Sequence, residues 1–252
     1  MSQVVSAKNK YFSATRIAFI ALFGALAGVL YIFDFPISGA FPSFLKFKFS
    51  DIPVLLGSFT LGPVSGTFIV IVQILIKLVI KGTSTSFVGE LSDLLTSMAF
   101  AVTASAIYSK KRTFKGALIG MAVGTAAEVA VALFANWLIL VPFYAKNFGW
   151  KAIIGMMKPL FPNITQENFY NYYLWVSVLP FNLMRCIVAI LVTLPVYKRI
   201  SNLINKANAK MTPQNDEDGQ KTQNVNIGVL VAGLAVVAIL LTFALLRGFK
   251  VI

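Results

Sequence analysis

The chain contains no histidine, a single cysteine (Cys186) and only nine acidic residues among its 252. One cysteine allows no disulfide within the chain, and the usual donor sets for zinc or haem are missing. Without histidine, a Ser-His-Asp or Cys-His nucleophile is impossible. No G-x-x-x-x-G-K-[ST] run occurs, so the chain carries no P-loop for ATP. There is no repeat of about 20–50 residues and no half-to-half symmetry of the inverted-repeat kind. Charged residues make up 12% of the chain, about half of the roughly 25% usual in soluble domains.

Apolar residues are abundant instead, at 58%. They fall in runs long enough to cross a bilayer, which takes about 20 residues per helix. The chain therefore reads as an all-α integral membrane protein. Its net charge of +13 raises the question of nucleic acid, but the basic residues sit at the ends of apolar runs. That placement reports topology, and no nucleic-acid partner is expected. The first apolar run follows Lys8, Lys10 and Arg16 yet lacks a small-residue cleavage site leading into a polar mature chain, so it reads as a retained helix.

The expected organisation is a basic leader (1–13), a six-helix membrane domain (14–200), a charged linker (201–226) and one further apolar span (227–252). Within the domain, helices are expected over 14–33, 65–80, 87–108, 116–144 and 169–197. A shorter apolar segment, "DIPVLLGSFTL" (51–61), is roughly 17 Å long as a helix, too short for a full span. Residues 146–168 read as a long loop. With the N-terminus inside, twelve Lys and Arg residues fall on inner segments and six on outer loops of the domain, which favours a cytoplasmic N-terminus. The stretch "FPSFLKFKFSDIP" (41–53), the turn "KGTSTS" (81–86) and the 146–168 loop then share the outer side.

Polar side chains within membrane segments are expensive and mark sites or buried partners. They comprise Gln73, Lys77, Glu90, Asp93, Glu128, Asn136, Asn182 and Arg185. Lys77 is close enough to a helix end to snorkel into the interface. Glu90 and Asp93 begin a helix, where carboxylates complement the N-terminus, so capping and a site role both stand. Asn182 and Arg185 share a helix face at i, i+3, just after Pro180, which frees a backbone carbonyl. An amide beside a guanidinium offers mixed donors and acceptors to something planar and polar. The alternative is an Arg185–Glu128 ion pair between helices. Two stripes of small residues, Ala14, Ala18, Ala21, Ala25 and Gly28 on the first helix and Gly116, Gly120 and Gly124 on a later one, permit close helix approach. Either packs within the protein or receives a partner.

Four separated stretches in order, "FPSFLKFKFSDIPVLLGSFTLGPVSG", "TSTSFVGELSDLL", "ALFANWLILVPFYA" and "LPFNLMR", resemble the riboflavin-specific S components of energy-coupling factor (ECF) transporters, over about residues 14–200. The resemblance implies a six-helix membrane subunit that takes riboflavin from outside the plasma membrane. Such a subunit docks on a separate transmembrane scaffold bearing two ATPase subunits, is not an enzyme and carries riboflavin as ligand, with no cofactor. It implies that Asn136 and Asn182 meet the polar edge of the isoalloxazine ring. Arg185 stands where the family usually has lysine, a wider fork in place of a point ammonium. Phe41, Phe44, Leu45 and Phe47 would supply apolar wall in a loop that closes over the ligand, or else sit in the interface belt. Lys46, Asp51, Thr83, Ser84, Thr85 and Glu90 would reach ribityl hydroxyls. Ala14, Ala18, Ala21, Ala25 and Gly28 would form the docking stripe, with Ala21 and Ala25 the best-matching pair. Rival readings are an S component for another vitamin-like ligand and a membrane-embedded enzyme using Glu90, Asp93 and Glu128 as acid–base groups. The span at 227–252 is not expected of the six-helix body, and anchoring, partner contact and an inert helix all fit it.

Overall fold

A computed structural model describes residues 13–37 and 39–211. Residues 1–12 of the leader, the linker from residue 212 onward and the further span at 227–252 lie outside the described residues. The helices are α1 (Ala14–Ile32), α2 (Asp51–Leu61), α3 (Pro63–Lys81), α4 (Val88–Lys110), α5 (Phe114–Ala135), α6 (Val141–Phe148), α7 (Trp150–Met157) and α8 (Leu179–Met211). Two π-helical stretches, Asn136–Leu140 and Asn171–Val178, lead into α6 and α8. Among the described residues, five helical segments are long and apolar enough to cross a membrane: Ala14–Ile32, Pro63–Lys81, Val88–Lys110, Phe114–Phe148 and Asn171–Ile200. The helix over Asp51–Leu61 is apolar but shorter.

Local chemistry sets most of the boundaries. Ser13 caps α1 by accepting from the Arg16 amide, and Thr113 caps α5 by accepting from the Gly116 amide at 3.0 Å. Such caps satisfy amides that have no partner inside the helix. Gly62, at φ 91°, makes the sharp joint between α2 and α3, with Pro63 at the first position of α3. Arg16 fastens that joint: its Nε donates to Ser65 Oγ at 2.9 Å and its Nη2 to the Leu61 carbonyl. A residue counted in the sequence as a topology charge thus also closes the C-terminus of α2.

Both π-helical stretches end immediately before a Val-Pro or Leu-Pro step, at Pro142 and Pro180. Proline has no N–H, so the carbonyl one turn earlier loses its α-helical donor. The wider i→i+5 bonding occupies the turns just before those gaps. Single π turns of this sort recur at functional sites.

Two expectations are corrected. Residues 146–168 are not one open loop, because the helix continues to Phe148 and α7 follows Gly149, whose φ of 79° forms the break. Trp150, Ile153 and Met157 hold α7 against the apolar cluster that contains Phe169 and Tyr173. The stretch after α1 is not a plain loop either. Its two ends pair as a short antiparallel ladder, β1 (Phe35–Pro36) with β2 (Lys46–Phe47), Phe35 opposite Phe47. The ladder folds this segment back over the bundle.

Close helix contacts follow the glycines. A Cβ on Gly120 would lie 2.5 Å from the Ala104 carbonyl oxygen, and one on Gly124 would lie 2.8 Å from that of Phe100. Gly120 and Gly124 of the second small stripe therefore make the α4–α5 contact, while Gly116 lies against the Lys111 carbonyl in the turn between them. Gly24 and Gly28 meet Val72 and Ile76 of α3 in the same way. At the opposite end of the bundle from the ladder, Phe59 stacks on Tyr108 with centroids 4.8 Å apart, and Tyr197 stands edge-on to both.

Candidate functional site

Beneath the β1–β2 segment lies a cavity of about 130 Å³. Aromatic walls come from Tyr31, Phe44, Tyr144, Tyr173 and Phe181, and polar groups from Lys46, Lys77, Ser84, Thr85, Glu90, Asp93, Thr96, Asn136, Asn182 and Arg185. Flat apolar walls with a few convergent polar groups are the usual anatomy of a small-molecule site.

The asparagines sit where the π-helical stretches meet the regular helices. Asn136 opens the first stretch, and Asn182 follows the second by one turn. Each amide nitrogen donates to the carbonyl four residues back, Asn136 to Ala132 and Asn182 to Val178, both at 2.8 Å. The Asn136 oxygen accepts from the Tyr173 hydroxyl at 2.5 Å.

At one side, Glu90 of α4 is buried and pairs with Lys77 of α3. Its other oxygen accepts from Thr83 at 3.0 Å and Thr85 at 2.8 Å. Thr83 Oγ1 also accepts from the Phe87 amide at 2.9 Å, so the turn wraps around one hydroxyl. Ser86 and Phe87 both have positive φ, 50° and 67°. Strain of this kind persists only where its surroundings over-determine it, and here the Thr83–Glu90–Lys77 contacts do so.

The floor is a charge cluster. Arg185 of α8 pairs with Glu128 of α5, with Asp51 at 3.2 Å and with Asp93 at 3.7 Å. Asp93 also pairs with Lys48 at 3.0 Å and accepts from the Tyr31 hydroxyl. Lys48 lies 4.2 Å from the Tyr31 ring centroid, a cation–π contact. Asp51 accepts from Ser97 at 2.9 Å, and Cys186 donates to Glu128 at 2.6 Å. One guanidinium thus joins α2, α4, α5 and α8.

Of the residues singled out from sequence, Phe44, Leu45, Lys46, Ser84, Thr85, Glu90, Asn136, Asn182 and Arg185 line the cavity. Four do not. Phe41 stands behind the wall, edge-on to Phe181 at 5.2 Å. Phe47 is buried between Phe35 and Phe49 in the ladder. Asp51 is turned away to Arg185 and Ser97, and Thr83 to the Phe87 amide and Glu90. Lys77 does not snorkel; it is 6% exposed and held by Glu90.

Sequence reasoning missed Tyr31, Asp34, Thr96, Tyr144, Tyr173 and Phe181. Their signal was faint, since an aromatic in an apolar run reads as core or interface. Only the hydroxyls of Tyr31 and Tyr173, which need buried partners, set them apart. The ion pair between Arg185 and Glu128 is present, together with two further carboxylates.

A family model for the substrate-specific component of ECF transporters matches residues 15–197. The chain belongs to this family. It is a transport subunit, not an enzyme, and Glu90, Asp93 and Glu128 are held in ion pairs with Lys77, Lys48 and Arg185. Similar curated proteins include the riboflavin transporter RibU of Staphylococcus aureus, 29% identical over 76% of this chain and 93% of that one. RibU of Lactococcus lactis is 30% identical over 70% and 88%. The riboflavin transporter FmnP of Bacillus subtilis is 24% identical over 51% and 68%. The solved S component of a bacterial ECF transporter superposes with a TM-score of 0.57 at 28% identity, covering 75% of this chain and 96% of that one.

The first-helix stripe divides in this S component. Ala14, Ala18, Ala21 and Ala25 lie exposed along one face of α1. Gly28 is buried against Ile76 and belongs to the α1–α3 contact. The expected five-residue surface is therefore four alanines, because the i+3 step to Gly28 turns onto the buried face.

Proposed function

We propose that this S component captures riboflavin in the cavity beneath the β1–β2 segment and hands it to a separate scaffold and ATPase pair. The observation that carries the reading is the pair of anchored amides, Asn136 and Asn182, set among Phe44, Tyr144, Tyr173 and Phe181. Each amide keeps one N–H and an oxygen lone pair beyond its bond to its own helix. Neighbouring donor and acceptor positions of that kind complement the acceptor, N–H, acceptor edge of an isoalloxazine. The names of the relatives support the same ligand.

At about 130 Å³ the cavity is below the roughly 300–1,000 Å³ of typical small-molecule sites. Binding therefore moves Phe44, Leu45 and Lys46 outwards, and the ladder carries all three together. Thr85, Ser84, Lys46 and Glu90 then face the ribityl hydroxyls. Twelve inner against six outer basic residues support a cytoplasmic N-terminus and a cavity opening outside. The exposed Ala14, Ala18, Ala21 and Ala25 face of α1 serves as the scaffold-docking surface, where small side chains permit close approach.

Titration of detergent-purified protein with riboflavin, read by quenching of flavin fluorescence, tests this. Tight quenching is expected, and Asn182→Ala weakens it tenfold or more, about 1.4 kcal/mol. A folded, monodisperse protein that binds no riboflavin at micromolar concentration overturns the ligand. Ala21→Leu is expected to leave binding intact and to abolish uptake in cells.

A further inference from the structure

Tyr173 is almost fully buried, its ring between Phe44 at 5.6 Å and Phe169 at 5.4 Å. Its hydroxyl belongs to a short chain of hydrogen bonds whose polarity is fixed at one end. The Ala132 carbonyl can only accept, so the Asn136 amide atom facing it must be the nitrogen. The other amide atom is then the oxygen, and the Tyr173 hydroxyl, 2.5 Å away, must be the donor. With its proton committed, the tyrosine oxygen has only lone pairs left for the cavity. The Asn136 nitrogen has one hydrogen left. Side by side, the two residues offer an acceptor and a donor, both held in place from two different helices.

Resting on the riboflavin reading above, we infer that Tyr173 is a positioning and specificity-determining residue. Its hydroxyl fixes the Asn136 amide and makes this corner of the cavity selective for a ligand edge that carries an N–H beside a C=O. An imide qualifies. An edge whose nitrogen is alkylated leaves the tyrosine oxygen facing carbon, without a donor. Sites built to pair a buried N–H reject analogues that lack it far more strongly than apolar pockets reject a change in size.

The test compares riboflavin with riboflavin methylated at the imide nitrogen, by fluorescence titration of the purified full chain in detergent. The protein as it stands is expected to favour riboflavin by a hundredfold or more. In Tyr173→Phe, riboflavin affinity falls about tenfold while the methylated analogue is little changed, so the ratio narrows tenfold. A merely structural role of the hydroxyl would weaken both ligands equally and leave the ratio unmoved, which would overturn the inference. Thermal unfolding of each variant checks that it is folded. Should Tyr173→Phe fail that check, Asn136→Ala takes its place, because it removes the acceptor that commits the tyrosine proton, and the same narrowing is expected. A parent protein that binds riboflavin and its methylated form equally overturns the inference alone. One that binds neither overturns the riboflavin reading and this inference with it.

Discussion

Removal of the Arg185 guanidinium should destabilise the whole bundle and not the site alone. Around the floor stand three carboxylates, Asp51, Asp93 and Glu128, against two cations, Lys48 and Arg185. Glu128 is fully buried and Arg185 is 4% exposed. Arg185→Met keeps most of the volume but leaves three carboxylates facing one lysine. Taking one partner from a buried pair costs about 3–5 kcal/mol, because the remaining charge is stranded away from water. On the scaling for chains of this size, about 2–4 °C per kcal/mol, the unfolding midpoint falls by roughly 6–20 °C. The double variant Arg185→Met, Glu128→Gln removes the deepest stranded carboxylate and should recover about 2–3 kcal/mol. Thermal unfolding in detergent, followed by intrinsic fluorescence and by loss of the monodisperse peak, reads both. If Arg185→Met melts with the parent, or the double variant melts no higher than the single, the cluster is not what holds these four elements together. Riboflavin titration is read separately, since Arg185 also lines the cavity.

Three further outcomes are expected. Gln73 is buried with neither amide atom partnered among the described residues, so Gln73→Met should raise stability by about 1 kcal/mol or more, visible as a higher unfolding midpoint. Gly120→Leu drives side-chain atoms into the Ala104 carbonyl and should destabilise the α4–α5 contact by about 1–3 kcal/mol, lowering the midpoint and the folded yield. Lys48→Met releases the segment after α1 from Asp93 and Tyr31; stopped-flow fluorescence should then show riboflavin dissociating severalfold faster while Asn182→Ala still weakens binding.

The membrane class and the spans were legible because hydrocarbon imposes long apolar runs that hardly any other fold produces. The short α2 helix was legible too, ended by Gly62-Pro63. The β1–β2 ladder was not, since two-residue strands carry no periodicity and "SGAFPS" reads as loop. In the site, Asn136 and Asn182 stood out because an amide in an apolar helix is rare. Tyr173 did not, because only the third dimension shows that its hydroxyl reaches Asn136 across 37 positions. Asp51 was misplaced for a related reason. It lies with Lys48 in a polar-looking stretch, yet the ladder folds that stretch inward, so their charges meet Arg185 and Asp93 at the floor of the cavity. Polarity alone could not tell an outward loop from one that dips into the bundle.

The two faces of α1 should be separable by substitution. Gly28 lies against Ile76, with a Cβ at 2.7 Å, and Tyr31, three residues on, donates to Asp93. Gly28→Val must therefore move the end of α1 away from α3 and carry the Tyr31 ring with it, out of the cavity wall and off Lys48. Riboflavin affinity should fall tenfold or more, about 1.4 kcal/mol. Ala25 is less than one turn earlier but exposed, and Ala25→Leu adds bulk only outside. Its riboflavin titration should match the parent within twofold, while uptake into cells is lost. Equal losses of binding in both variants would mean that α1 moves as one rigid rod in response to either face. The outer alanines would then bear on capture of the ligand, and the assignment of that face to docking alone would be wrong.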